Sequence, residues 1–206
     1  MASYYYLVAQ LPFLFYEQKP PMSSQKFKEL AVSLMTKKDA SLMEYLSLEY
    51  QPFAKKTGCK FIDNWRKWEN TLRLNLGKSR ALNLYNEYTG EIPPDVPEDA
   101  VYTATNLFSH EGTPLEGEML FDRARWNVIE DLLAGSNYFD RGGVYAYFLK
   151  LLLLERHQLF NIEKGFAEYK SIYAEIIKNA QVCVFTSTEA ASEVEEVSAG
   201  VASSEA

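Results

Sequence analysis

The chain has 206 residues and a formal net charge of −7. A chain of this length predicts one domain, which buries roughly 70% of its unfolded surface and needs no disulfide or metal to hold its core. Its two cysteines, Cys59 and Cys183, lie far apart in sequence and match no disulfide framework, which fits a reducing compartment. We therefore expect a cytoplasmic protein.

The negative charge is concentrated at the C-terminus. Residues 186–206 contain five glutamates and no basic residue, so the preceding residues carry 23 acidic and 21 basic side chains. A segment of Ser, Ala, Glu, Val and Gly cannot bury a core, which predicts a helical domain at 1–185 and a disordered tail at 186–206. The nearly neutral domain offers no basic face, so we do not expect nucleic-acid binding.

The N-terminal residues 4–16 are aromatic and apolar, with a period that fits either a strand or a short buried helix. Pro12 interrupts this run, which is already too short to cross a bilayer. The other dense apolar run, residues 147–154, contains Lys150 and is followed by charged residues, as is typical of a buried helix. We expect no direct membrane insertion.

Capping residues and apolar periodicity predict six or seven helices and an all-α bundle. The most specific start signal is Thr113-Pro114-Leu115-Glu116, a capping box with proline at the first helical position. Prolines and a glycine between residues 90 and 97 predict a surface connection. The other predicted helices start at Ser23-Ser24, Asp39, Asp63, Glu98, Asp140 and Asn161.

Two of these helices carry tryptophan next to charged side chains. Between Asp63 and Leu82, Trp65 and Trp68 belong to an apolar stripe, and Glu69 with Arg73 lies beside it. Such pairs are either intrahelical ion pairs at the edge of the core or anchors of an interface, where Trp and Arg are enriched; both readings stay open. The candidate partner-binding residues are Trp65, Trp68, Glu69, Arg73, Arg125, Trp126 and Arg156.

No residue pattern predicts catalysis, a cofactor or a metal. His110, His157, Cys59 and Cys183 include no local ligand pair, so we expect no zinc site. No phosphate-binding loop is present, and the paired carboxylates lie in helix first turns or beside arginine. The alternative is an enzyme or a helical small-ligand-binding protein with a pocket of tryptophans and tyrosines, which requires a deep cavity with converging polar groups.

Four stretches between the N-terminus and about residue 180 resemble a bacterial family encoded beside V-type ATP synthase subunits in spirochaetes, chlamydiae and Bacteroidetes. They are Tyr4-Tyr5-Tyr6-Leu7-Val8-Ala9 with Leu11-Pro12; Pro20-Pro21 with Ser23-Ser24 and Phe27; Trp65, Trp68-Glu69 and Leu72-Arg73 with Arg80-Ala81; and Arg125-Trp126 with Phe139-Asp140, Ala146-Tyr147, Leu149-Lys150-Leu151, Glu155-Arg156, Phe160 and Gly165.

The first stretch also resembles the start of the central-stalk C (or d) subunit of V/A-type ATPases, which seats the rotor shaft on the membrane ring. The resemblance implies a non-catalytic subunit or assembly factor of a V-type ATP synthase, a proton- or sodium-transporting complex. Its partners would be subunits of that complex. Through such a partner, a cytoplasmic protein could lie at the inner membrane.

Overall fold

The computed structural model describes residues 3–49, 56–85, 87–90, 93, 95–109, 112–160 and 163–179. Within these ranges the protein is all-α, as predicted, and the single β-type pairing is an isolated bridge between Ser3 and Asp140. The predicted tail at 186–206, the predicted helix start at Asn161, and the zinc candidates His110 and Cys183 all lie outside the described residues.

The described helices follow one another with short connections. They are α1 (Tyr5–Ala9), α2 (Ser24–Leu34), α3 (Lys37–Leu42), a 3₁₀ turn (Met43–Tyr45), α4 (Lys60–Tyr85), α5 (Glu98–Phe108), α6 (Pro114–Leu133), α7 (Arg141–Leu159) and α8 (163–179). The chain divides into two compact units after Leu159, with α1 to α7 in the first. The predicted limits 1–185 and 186–206 stay a prediction. None of the described helices is long and apolar enough to cross a membrane.

Helix α7 is the centre of the first unit. It packs against α2, α4 and α6, while α4 packs against α5, α6 and α7. Buried side chains lie on all sides of α7, including Tyr145, Leu149, Leu151 and Leu154, as is typical of a helix enclosed by its neighbours. The apolar run at residues 147–154 is therefore the buried helix that the sequence predicts.

Of the two possibilities that its sequence leaves open, the N-terminal segment forms the short helix α1, which follows the isolated bridge at Ser3. The Tyr4 backbone N–H donates to Phe139 O at 2.6 Å, next to the Ser3 bridge, and the chain then turns into α1. Leu7 is buried in the core. The short helix is thus fixed to the start of α7 by backbone pairing on one side and by apolar burial on the other.

Asp39 in α3 ties three parts of the first unit together. Its carboxylate accepts from Tyr4 OH at 2.6 Å and from Arg141 Nη1 at 3.3 Å, and its backbone carbonyl accepts from Tyr145 OH at 2.8 Å. Burial opposes ionisation of Asp39, but the hydrogen bonds from Tyr4 and Arg141 outweigh it and hold the pKa of the carboxyl below its usual value.

Two predicted helix starts are confirmed by their caps. Ser23 Oγ accepts from Lys26 N at 3.2 Å, and Thr113 and Glu116 form the predicted reciprocal capping box with Pro114 at the first helical position. The predicted starts at Asp39 and Asp63 are wrong, because both helices begin earlier, at Lys37 and Lys60.

Helix α3 is capped by Thr36, and α4 already begins at Lys60. The Asp63 carboxylate accepts from the backbone N–H of Thr57 at 2.8 Å and from its hydroxyl at 2.9 Å. It therefore fixes the turn before α4 from a position inside the first helical turn.

The second unit contains α8, whose apolar residues recur at helical spacing. All its described side chains are exposed, among them Phe166, Ile172 and Ile176. The rings of Tyr169 and Tyr173 stack with centroids 6.0 Å apart. The apolar side chains of α8 are thus exposed to solvent.

Candidate functional site

Five of the seven candidate partner-binding residues are buried inside the chain. They are Trp65, Trp68, Glu69, Arg125 and Trp126. These five side chains pack inside the fold, and their part in partner contact stays a prediction. Arg73 and Arg156 retain 33% and 29% of their side-chain exposure, and for them a partner contact stays a prediction.

The tryptophans of α4 connect the helices of the core. The rings of Trp65 and Trp68 stack with centroids 6.0 Å apart. Trp68 Nε1 donates to Asp99 Oδ2 at 2.7 Å, which joins α4 to α5. An indole has a large apolar body and one N–H that needs a partner when buried, and both requirements are met here.

Trp126 in α6 plays a similar part beside α7. Its Nε1 donates to Glu130 Oε1 at 3.0 Å, and the same oxygen accepts from Lys150 Nζ at 2.8 Å. Lys150 Nζ also lies 4.5 Å from the centroid of the Trp126 ring. Hydrogen bonding to Lys150 lowers the pKa of Glu130 against the effect of burial. Glu130, whose side chain is 51% exposed, therefore balances the charge of the lysine in the middle of the apolar run.

Glu69 is the first of two carboxylates that hold arginines from different helices. Its Oε1 accepts from Arg73 Nε at 2.7 Å and from Arg125 Nη2 at 2.9 Å, and its Oε2 accepts from Arg125 Nε at 3.0 Å. The pairing with Arg125 is bidentate, which fixes the plane of the guanidinium. Arg73 Nη2 additionally donates to the backbone oxygen of Leu48.

Asp122 is the second of these carboxylates, and it is fully buried. Its Oδ1 accepts from Arg125 Nη1 at 2.8 Å and from Arg156 Nη1 at 2.7 Å. Its Oδ2 has no hydrogen bond among the described residues and lies 3.6 Å from His157 Nε2. Burial raises the pKa of the Asp122 carboxyl, while Arg156 and Arg125 oppose that rise.

The arginines and carboxylates form one connected set, which we call the arginine network. Burial would lower the pKa of the Arg125 guanidinium, but Glu69 and Asp122 outweigh burial and raise it, so Arg125 stays charged. On the outer side of the set, Arg156 Nη2 donates to Glu118, whose side chain is 42% exposed. The members of the arginine network are Glu69, Arg73, Glu118, Asp122, Arg125 and Arg156.

Four members of the arginine network, Arg73, Glu118, Arg125 and Arg156, line a partly open cavity of about 720 Å³, which we call the arginine cavity. Its walls come from α4, α6, α7 and the segment before residue 50. Arginine is the most frequent residue of the lining. The lining residues are Leu48, Glu49, Arg73, Leu76, Gly77, Arg80, Glu118, Phe121, Arg125 and Arg156.

Three charged helical residues of this region are absent from the sequence-based candidates: Arg80, Glu118 and Asp122. A helical signal exists for each of them, because residues three, four or seven apart share a face. Arg80 follows Arg73 by seven positions, Glu118 precedes Asp122 by four, and Asp122 precedes Arg125 by three. A search for charged pairs at these spacings would have found all three.

A second cavity, the apolar groove, has a volume of about 410 Å³ and lies between the N-terminal segment and α7. Tyrosine and phenylalanine line it, but no tryptophan does. Two of its polar groups are already engaged: Tyr147 OH donates to Pro12 O at 3.0 Å, and Lys150 is paired with Glu130. Of the predicted pocket of tryptophans and tyrosines, this groove thus contains tyrosines but no tryptophan.

No group of three or more His, Cys, Asp or Glu side chains in the described ranges is placed to hold a metal ion. Cys59 is buried and forms no disulfide with any residue that the structure describes. His157 lies between Asp122 and Tyr16, with Tyr16 OH 3.2 Å from its Nε2. His157 therefore has one carboxylate, that of Asp122, close to it.

The fold and the site define an all-α protein in which a buried set of ion pairs opens on a surface cavity rich in arginine. Comparisons with protein-family models, curated proteins and solved structures found no match to the chain.

Proposed function

We propose that the protein is a non-catalytic subunit or assembly factor of a V-type ATP synthase, with a role like that of the central-stalk C (d) subunit in joining the rotor shaft to the membrane ring. The observation that supports it best is the fixed position of Arg73 and Arg156 at the arginine cavity. Each guanidinium is held from the inside by a buried carboxylate and is partly exposed. Arginine is a common interface anchor, and a side chain that is already ordered loses less entropy on binding.

The stretches that resemble the ATP synthase-associated family supply much of this site. They contribute four residues to the lining of the arginine cavity: Arg73 and Arg80 from α4, Arg125 from α6 and Arg156 from α7. The resemblance therefore includes side chains whose charges meet in space. The meeting of these charged side chains at one site supports an interaction role shared with that family.

Affinity purification of the tagged full chain from its own cells tests the proposal. We expect V-type ATP synthase subunits to be recovered from membranes or cytosol, and Arg80→Ala to reduce the recovery because Arg80 is exposed at the cavity. Lys78→Ala is the matched control, since Lys78 is exposed on the same helix outside the cavity lining. Recovery of no ATP synthase subunit from either fraction would refute the proposed function.

A second candidate function is the binding of a small apolar ligand. It is favoured by the apolar groove, where Phe13, Tyr138, Phe139 and Tyr147 line one cavity. Binding of 8-anilinonaphthalene-1-sulfonate, followed by fluorescence, is the test. Ala9→Trp places a large side chain in the groove, and we expect it to abolish the fluorescence signal. As the control, a tryptophan introduced on an exposed face of α2 should leave the signal intact. Equal fluorescence of the two variants would exclude the groove as the binding site.

A further inference from the structure

We propose that the arginine cavity binds the carboxylate side chains of an acidic segment of a partner protein, and that Glu118 occupies the place of one such carboxylate in the free protein. The inference rests on the proposed function only in taking a protein as the source of the carboxylates. It assigns a chemical class to the contact, which the proposed function leaves open.

Two groups that accept hydrogen bonds from Arg156, the carboxylates of Asp122 and Glu118, differ in how firmly they are held. Asp122, which accepts from Nη1, is fully buried, whereas Glu118, which accepts from Nη2, has a side chain that is 42% exposed. An exposed ion pair contributes little free energy because water and salt screen it. A partner carboxylate can therefore replace Glu118 on Nη2 while Asp122 continues to fix the guanidinium from the inside.

Two further arginines of α4 extend the site. Arg73 is held by Glu69 and by the backbone oxygen of Leu48, so its guanidinium is oriented before any partner arrives. Arg80 lies seven residues further, on the same face of the helix, and is exposed. Within the described residues Arg80 has no ion pair, so it is available to a second carboxylate.

The lining favours carboxylates over phosphate. Glu49 and Glu118 place two negative charges at the cavity. These charges repel a phosphate dianion more strongly than a single carboxylate, and a carboxylate that replaces Glu118 adds no net charge. Leu48, Leu76 and Phe121 add apolar walls that suit the methylene groups of glutamate or neighbouring apolar residues. A volume of about 720 Å³ also fits several side chains of a peptide rather than one small ion.

Fluorescence anisotropy with a labelled peptide of alternating glutamate and leucine tests the inference on the full chain. We expect the wild type to bind this peptide, with affinity falling as salt rises, and to bind a glutamine-for-glutamate peptide much more weakly. Glu118→Gln should tighten binding by roughly two- to fivefold and Arg80→Ala should weaken it by a similar factor, the size of an exposed ion pair.

Matched controls exclude unspecific effects of charge. Lys78→Ala and Glu29→Gln remove exposed charges from α4 and α2 outside the cavity and should leave the affinity unchanged. Equal binding of the two peptides, unchanged or weaker binding by Glu118→Gln, or competition by inorganic phosphate at lower concentration than by glutamate would each overturn the inference.

The same peptide assay separates this inference from the proposed function. Specific peptide binding without recovery of ATP synthase subunits would remove the proposed function and support the carboxylate site. Recovery of those subunits by a protein that does not bind the acidic peptide would overturn the carboxylate site alone.

Discussion

Glu69→Gln is the substitution that tests the arginine network most directly. The carboxylate of Glu69 accepts three hydrogen bonds from two arginines, and its side chain is 5% exposed. A neutral amide cannot balance the charge of Arg125, which is itself buried. Breaking a buried ion pair by removing one partner costs about 3–5 kcal/mol. Asp122 still neutralises part of the Arg125 charge. We therefore expect a loss within that range and not above it.

Urea unfolding followed by circular dichroism measures this loss as a change in the free energy of unfolding. The matched control is Glu17→Gln, which breaks the ion pair of Glu17 with Arg123. Both side chains of that pair are at least half exposed, and we expect a change within about 0.5 kcal/mol.

The difference in free energy of unfolding between Glu69→Gln and Glu17→Gln shows how much the buried ion pairs contribute to stability. If Glu69→Gln costs no more than the exposed control, the ion pairs of Glu69 do not contribute in the way that their burial implies. An unchanged slope of free energy against urea would show that both variants unfold by the same transition.

Three further predictions concern single positions. Gly143→Ala should lower the free energy of unfolding by at least about 2 kcal/mol relative to Gly142→Ala, because a Cβ at Gly143 would lie 1.9 Å from the Tyr138 carbonyl oxygen, whereas one at Gly142 meets only ordinary side-chain contacts; equal values would contradict the close approach. The folded-state pKa of Asp39 is lowered, so its stabilisation is complete above the unfolded value of about 4 and is lost as pH falls through the folded value. Asp39→Asn should therefore flatten the acid limb of urea midpoints measured against pH, and an unaltered limb would refute the assignment. Thr113→Ala removes the capping box and should cost about 1 kcal/mol in the same unfolding assay; no loss would mean that water replaces the cap.

The helices could be predicted because their start signals are local. Ser23 and Thr113 each cap a helix through a side chain three residues from its backbone partner, and such spacing is visible in the sequence. Asp39 and Asp63 misled the prediction because an acidic side chain is favourable both as a cap and within the first helical turn. Only the backbone positions of the neighbouring residues distinguish the two roles.

The burial of the charged residues could not be predicted in the same way. From the sequence, Glu69 has one visible partner, Arg73, at four residues' distance. Its second partner, Arg125, is 56 residues away and comes from another helix. A lone glutamate beside tryptophan fits a surface seam, whereas a glutamate that meets a second arginine can enter the core, since buried charges require paired partners. That choice depends on how α4 and α6 pack.

The arginine network is a costly way to fill a core, because taking charges out of water offsets much of their mutual attraction. If the network serves to orient Arg73 and Arg156 at the cavity, the double variant Glu69→Met/Arg125→Met should be stable and yet bind the peptide more weakly. Removing both partners avoids an unpaired buried charge, so we expect this variant to recover most of the stability that Glu69→Gln loses. Arg73 would nevertheless lose its fixed orientation, and binding of the glutamate-leucine peptide should weaken. A double variant that is stable and still binds the peptide like the wild type would show that the network serves the core alone.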